Sequence, residues 1–262
     1  MKNNIKNLEE WEKNYFGIIS SKKKSQLYFY LKFLNSKKFE KINGDIVEAG
    51  VFKGSSLISS ALLLKTKKGF KNKKIWGYDT FSGFPKYSNK DDFKQFKKLY
   101  KTKQISHNHY KNILKLKKYH RLLKNTNIRA NNISSSKKFN NTSLQLVKKK
   151  INFFNLSSKI NLIKGGFKNT FKNEKNLPKK ISAGLIDCDL FEGYEITLKF
   201  FWPRLSINGK LFLDEYYSLK FPGPRIAVNS FLKKNKDAVL VKEGVIGDFE
   251  RWSIIKLGTI WK

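Results

Sequence analysis

The 262-residue chain has one cysteine, Cys188. An internal disulfide is therefore excluded, as is any zinc or iron–sulfur site built from several cysteines. Acids are scarce: 20 Asp and Glu stand against 55 Lys and Arg, giving a formal net charge of +35. Long hydrophobic runs are missing too. The first residues, MKNNIKNLEEWEKNYFG, hold no apolar core of signal-peptide length. The densest apolar stretch near them, Leu27 to Leu31, is far too short to span a bilayer. The chain reads as soluble and cytoplasmic, with no membrane span. It shows no internal repeat, and no G-x-G-x-x-G fingerprint follows its first strand.

What is abundant is lysine. An excess of this size implies an anionic partner or a compositional bias spread over solvated faces. The lysines occur in KTKKGFKNKK and LKKNKD alike rather than in one tract. They do not alternate with aromatics in an RNA-binding signature, so compositional bias is the main reading and no specific nucleic acid is expected. Some general attraction for anions follows either way. The three histidines, His107, His109 and His120, have no partner spacing that marks a metal site and are expected to be solvated.

From Asp45 onward, short apolar runs alternate with helical patterns. Strands are expected in DIVEAGVF, KKIWGYDTF, KINLIKGGF, SAGLIDCDL and NGKLFLDEY, with AVLVKEG and RWSIIKLG closing as a hairpin. The first four lack strict polar alternation, which suits parallel strands covered on both faces. The expected fold is α/β: a doubly wound, Rossmann-like seven-stranded sheet, mostly parallel, with an antiparallel carboxyl-terminal edge. Residues 1–44 form a helical extension, with SQLYFYLKFLNSKKFEK its clearest piece. Residues 45–262 form the main domain, and 86–150 are a basic, helical insertion that could serve as a lid.

Two places carry chemistry. In VEAGVFKGSS a strand ends at Glu48 and turns through Gly50 and Gly54 into a helix opening near Ser55. Ligands of open α/β sheets bind beyond such strand ends. An acid in that turn repels a pyrophosphate but suits a cationic or amine-bearing ligand. Asp79 closes the second strand, where an acid commonly accepts from ribose hydroxyls. Together they indicate an adenosyl ligand without a pyrophosphate. The fourth strand ends at Asp187 and the fifth at Asp214 and Glu215. If those strands are neighbours, three carboxylates meet, and they repel unless a cation or protons compensate them. All-oxygen ligands suit a hard cation such as Mg²⁺; separately hydrated acids at an open mouth are the alternative. Strand alternation would place Cys188 opposite Asp187 and Asp189, in the packing and inert.

The stretches VEAGVFKGSS, YDTFSGFP, IKGGFKNTF, IDCDLFEGYEITLKFFWPRLSINGKLFLDEY and FPGPRIAV resemble, in order, the motifs of the macrocin O-methyltransferase family (TylF/MycF type). The resemblance implies a class I enzyme, dependent on S-adenosylmethionine and Mg²⁺, that methylates a sugar hydroxyl in a glycan or natural product. It puts Glu48, Gly50, Gly54 and Ser55 along the cofactor. It places Asp79 at the ribose with Thr80 and Ser82 nearby, and Gly166 and Phe167 near the adenine. Asp187, Asp214 and Glu215 match the metal triad, and Asp189 a general base. Two departures stand out. Glu215 replaces the usual second Asp, and FEGYE replaces Tyr-x-Ser-Thr, with Gly193 and Tyr194 in place of the small hydroxyls, so the FEG stretch is expected where the acceptor is read.

The acceptor remains open among a sugar on a glycan, a nucleotide-linked sugar and a small secondary metabolite. The resemblance also allows a homo-oligomer. An RNA methyltransferase and a non-catalytic binding protein on the same fold are the alternatives.

Overall fold

The computed structural model describes residues 8–19, 22, 24–65, 72–134 and 138–258. Three short helices lead in: α1 (Glu10–Phe16), α2 (Tyr28–Leu34) and α3 (Lys37–Glu40). Then come β1 (Asp45–Ala49), α4 (Ser55–Lys65), β2 (Ile75–Asp79), α5 (Gln95–Lys101), α6 (His107–Lys124), α7 (Leu144–Phe153) and β3 (Ile160–Lys164). The remainder is α8 (Phe167–Thr170), β4 (Ile181–Ile186), α9 (Phe191–Phe201), β5 (Leu205–Leu213), α10 (Gly223–Lys234), β6 (Ala238–Ile246) and β7 (Phe249–Lys256).

The seven strands form one sheet in the order β3-β2-β1-β4-β5-β7-β6. Five are parallel, and β7 runs antiparallel to both β5 and β6. The expected doubly wound sheet with an antiparallel edge is present. The closing turn is tighter than the motif suggested: only Gly247 and Asp248 separate β6 from β7, with Gly247 at φ 59°.

Burial along the strands explains the two layers. In β1, Ile46 points into one apolar cluster while Val47 and Ala49 point into the other. The first cluster joins α2, α4 and α7 through Tyr30, Leu57, Ile58, Val147 and Ile151. The second holds Tyr194, Leu198 and Phe201 of α9 with Ala227 and Val228 of α10. Helix α7, which the sequence pattern grouped with the insertion, thus packs on the sheet. The amino-terminal piece that read as one helix is two. Ser36 breaks it, its Oγ donating to the Phe33 carbonyl (2.7 Å) and accepting from the Phe39 amide (3.2 Å), which caps α3.

The insertion is fastened down by buried polar contacts. Asp91, 1% exposed, accepts from the Phe191 amide (2.7 Å) and so caps the positive end of α9. A Cβ at Gly223 would lie 2.1 Å from the same carboxylate, so the insertion, α9 and α10 meet at one crowded point. His109 and His120 are buried, not solvated, because they lie with Ile113 on the inward face of α6. The His109 ring stacks on Tyr217 (3.9 Å between centroids, 16° between planes), and its Nε2 lies 2.8 Å from the Ser218 carbonyl. Burial lowers the His109 pKa from 6.5 to about 4. The unfolded chain therefore binds a proton first, and this docking contact loses stability as pH falls from about 6.5 towards 4. Urea titrations across that range should show a steeper loss of stability in the wild type than in His109→Phe.

Candidate active site

A cavity of about 570 Å³ opens at the carboxyl ends of β1, β2, β4 and β5. Gly50, Ser55, Asp79, Thr80, Gly166, Phe167, Asp187, Asp189, Asp214 and Glu215 all line it. Of the residues singled out from the sequence, Glu48, Gly54 and Ser82 do not. Ser82 is exposed outside it. Gly54, at φ 79°, instead packs beneath Val147. Phe52, Lys53, Ser56, Phe84, Lys86, Phe139 and Lys220 line it without having been singled out.

The first turn is set by close approach and by captured amides. A Cβ at Gly50 would fall 1.7 Å from the Asp187 carbonyl oxygen, so only glycine lets the two strand ends meet. Asp79 Oδ2 accepts from the Val51 and Phe52 amides (both 2.8 Å), and its Oδ1 from the Phe81 amide (2.6 Å). This carboxylate therefore holds the loop while keeping a face on the cavity. Phe52 pays for the tight turn with a left-handed backbone, φ 51°. Glu48 lies fully buried behind the loop, on the α4 side of β1, where Ser56 Oγ donates to its Oε1 (2.6 Å). Its Oε2 has no partner, and burial raises its pKa to about 8.

The second group forms as strand adjacency requires. β4 pairs with β5, and carboxylate oxygens of Asp187, Asp214 and Glu215 lie within 4.8 Å of one another. Arg251 Nη1 on β7 donates to Asp214 Oδ1 (3.0 Å). The Tyr194 hydroxyl lies 2.7 Å from Glu215 Oε2 and 2.8 Å from the Ile186 carbonyl, and accepts from the Glu215 amide (3.1 Å). Burial, then mutual repulsion, pushes Asp187 and Glu215 well above the usual carboxylate range, and the pair shares a hydrogen bond. Without a cation, this cluster thus retains protons. The acid-only donor set suits a hard divalent cation.

One expectation is corrected here. Strand β4 ends at Ile186, so strand alternation does not reach residues 187–189. Asp189 instead takes a left-handed conformation, φ 59°, and Cys188 lines the cavity beside the acids. Burial raises the Cys188 thiol well above its ordinary range, which keeps it unreactive. Tyr194, which stands in place of a small hydroxyl of the family motif, is fully buried and braces Glu215 from behind. Gly193 does face the cavity, where a Cβ would crowd Cys188 Sγ at 2.9 Å.

The seven-stranded sheet is of the Rossmann-like methyltransferase fold. The family model of the macrocin O-methyltransferases (TylF), the family that the motifs resemble, matches residues 9–129, a little under half of the chain. The matched stretch includes both the leading helices and α5–α6, and it ends before the three carboxylates. No curated protein sequence matches. Among solved structures, the O-methyltransferase NovP is 17% identical, covers 88% of this chain and 80% of its own, and gives a TM-score of 0.60. CalS11, a calicheamicin methyltransferase, is 18% identical over 89% of this chain and 77% of its own, with a TM-score of 0.56. An apo structure of CalS11, described as a TDP-rhamnose 3'-O-methyltransferase, is 16% identical over 98% and 85%, with a TM-score of 0.51. These likenesses show the fold.

Tyr194→Phe removes the hydroxyl that holds Glu215. It should cost about 1–3 kcal/mol in chemical denaturation. It should also weaken Mg²⁺ binding, measured by calorimetry, by about 10-fold or more.

Proposed function

We propose that the protein methylates a hydroxyl of a sugar-type acceptor, with S-adenosylmethionine as donor and a divalent cation held by Asp187, Asp214 and Glu215. The observation that carries this is the convergence of three carboxylates in the cavity that also holds the Gly50 turn and Asp79. Simple base methylation has no need of such a cluster. The calicheamicin enzyme of the same fold, which acts on TDP-rhamnose, supports a sugar and makes a nucleotide-linked one a specific option.

Gly50, Ser55 and the amides of the first turn would face the methionine end of the donor. Asp79 would meet the ribose with its remaining lone pairs, and Gly166 and Phe167 would border the adenine. Such a donor supplies an electrophilic methyl group, and a cation polarises a nearby hydroxyl and fixes its position. Asp189 takes the hydroxyl proton as the new carbon–oxygen bond forms and the carbon–sulfur bond breaks, leaving S-adenosylhomocysteine. Burial and then Asp214 raise the Asp189 pKa to about 7, while Lys220 opposes the rise. That value suits a base working near neutrality. The lysines at the cavity, Lys53, Lys86, Lys168 and Lys220, would favour an acceptor carrying negative charge.

Calorimetry with S-adenosylmethionine tests the donor, and no binding sinks this reading. Asp187→Ala should abolish Mg²⁺-stimulated turnover while changing donor affinity little. Full activity in excess EDTA would remove the cation from the scheme. A base must be deprotonated to act. kcat/KM should therefore fall as pH drops through a midpoint at or below about 7, since a bound cation lowers the Asp189 pKa further. Asp189→Asn should lower kcat by about 10²–10⁴-fold and flatten that limb.

A further inference from the structure

Helix α6 buries His109, Ile113 and His120 along one face, and that face secures the insertion to the domain. The rest of its surface is unusual in two respects. Large apolar side chains project into solvent: Leu114 is 46% exposed, Tyr119 53%, Leu122 75% and Leu123 81%. Lys111, Lys115, Lys118, Arg121 and Lys124 are exposed among them. No acid balances these cations, because the sequence holds no Asp or Glu between Asp92 and Glu174. Outside that run some lysines are paired with carboxylates, as in Lys210–Glu243 and Lys242–Glu250.

We propose that this exposed surface of α6, centred on its carboxyl-terminal turn with Leu122 and Leu123, docks the protein onto an anionic lipid bilayer, as a peripheral contact along the membrane surface. The pairing of features selects this partner. Acidic headgroups complement the cations, each worth about fivefold in affinity near such a surface. The exposed leucines gain by entering the boundary between headgroups and acyl chains. A nucleic acid would satisfy the cations but offer nothing to Leu122 and Leu123. A purely solvated face would carry the cations without the leucines. Among the described residues no helix is long and apolar enough to cross a membrane, so the contact lies on the bilayer and does not span it. The insertion also packs through Leu116 and Ile133 against Leu190 and Phe221. Docking on α6 would thus hold the cavity close to the lipid surface.

Flotation of the full chain with vesicles tests this without reference to catalysis. The protein should bind vesicles of phosphatidylcholine mixed with phosphatidylglycerol, and not phosphatidylcholine alone. Leu122→Ser/Leu123→Ser leaves the charge unchanged and should weaken binding at least about tenfold. Lys148→Glu/Lys149→Glu, at exposed positions of α7, removes more positive charge but should change binding by about twofold at most. Far-UV circular dichroism confirms that both variants fold. Equal weakening by the two variants would mean diffuse charge attraction and overturn the proposal. So would binding to single-stranded RNA with none to anionic vesicles.

Discussion

The burial of negative charge at one edge of the sheet is the constraint around which this protein is arranged. Glu48, Asp79, Asp187, Asp214 and Glu215 all close strands whose carboxyl ends lie side by side. Buried carboxylates are costly unless compensated, and each is handled differently here. Asp79 captures three backbone amides, Glu48 takes a serine hydroxyl, Asp214 faces an arginine, and Glu215 is braced by a tyrosine. Asp187 shares its remaining hydrogen bond with Glu215. The contacts that make the strand ends stable therefore also hold the second cluster together.

Much of this was legible in the sequence, because it depends on local pattern. The apolar runs gave the strands to within a few residues, and SSLISSALLLK and GPRIAVNSFLKK mark α4 and α10 as they stand. The adjacency of β4 and β5 followed from short connections, and with it the meeting of Asp187 with Asp214 and Glu215. Long-range register was not legible. Arg251 was visible only as part of a closing strand. Its place beside Asp214 follows from the Leu213–Trp252 pairing, which no local pattern announces. The place of Tyr194 was not legible for a related reason. A tyrosine in the first turn of α9 can turn outward to ligand or inward to β5, and helical spacing alone does not choose. Cys188 and Asp189 went astray because strand alternation was extended past Ile186, where the chain leaves the sheet.

The insertion shows how a basic segment is made part of a fold. Its one fully buried acid, Asp91, holds an amide of α9 and sits against Gly223. His109 on its inward face meets a backbone carbonyl, and burial keeps the ring neutral. Most of its lysines remain outside, and Lys86 at its start lines the cavity. The scarcity of acids is thus not uniform. They are concentrated where strands end, and absent over the long run that forms the cover.

The position of β7 bears on the order in which the molecule is assembled. It lies between β5 and β6, although both precede it in the chain. During synthesis the sheet must wait with a gap, and β6 has no neighbour until β7 arrives to fill it. Such a non-local pairing is a late and slow event in folding. The same strand delivers Arg251 to Asp214, so the acidic cluster receives its cationic partner only at that step. Closure of the sheet and completion of the site are one event, and a chain caught before it would have neither.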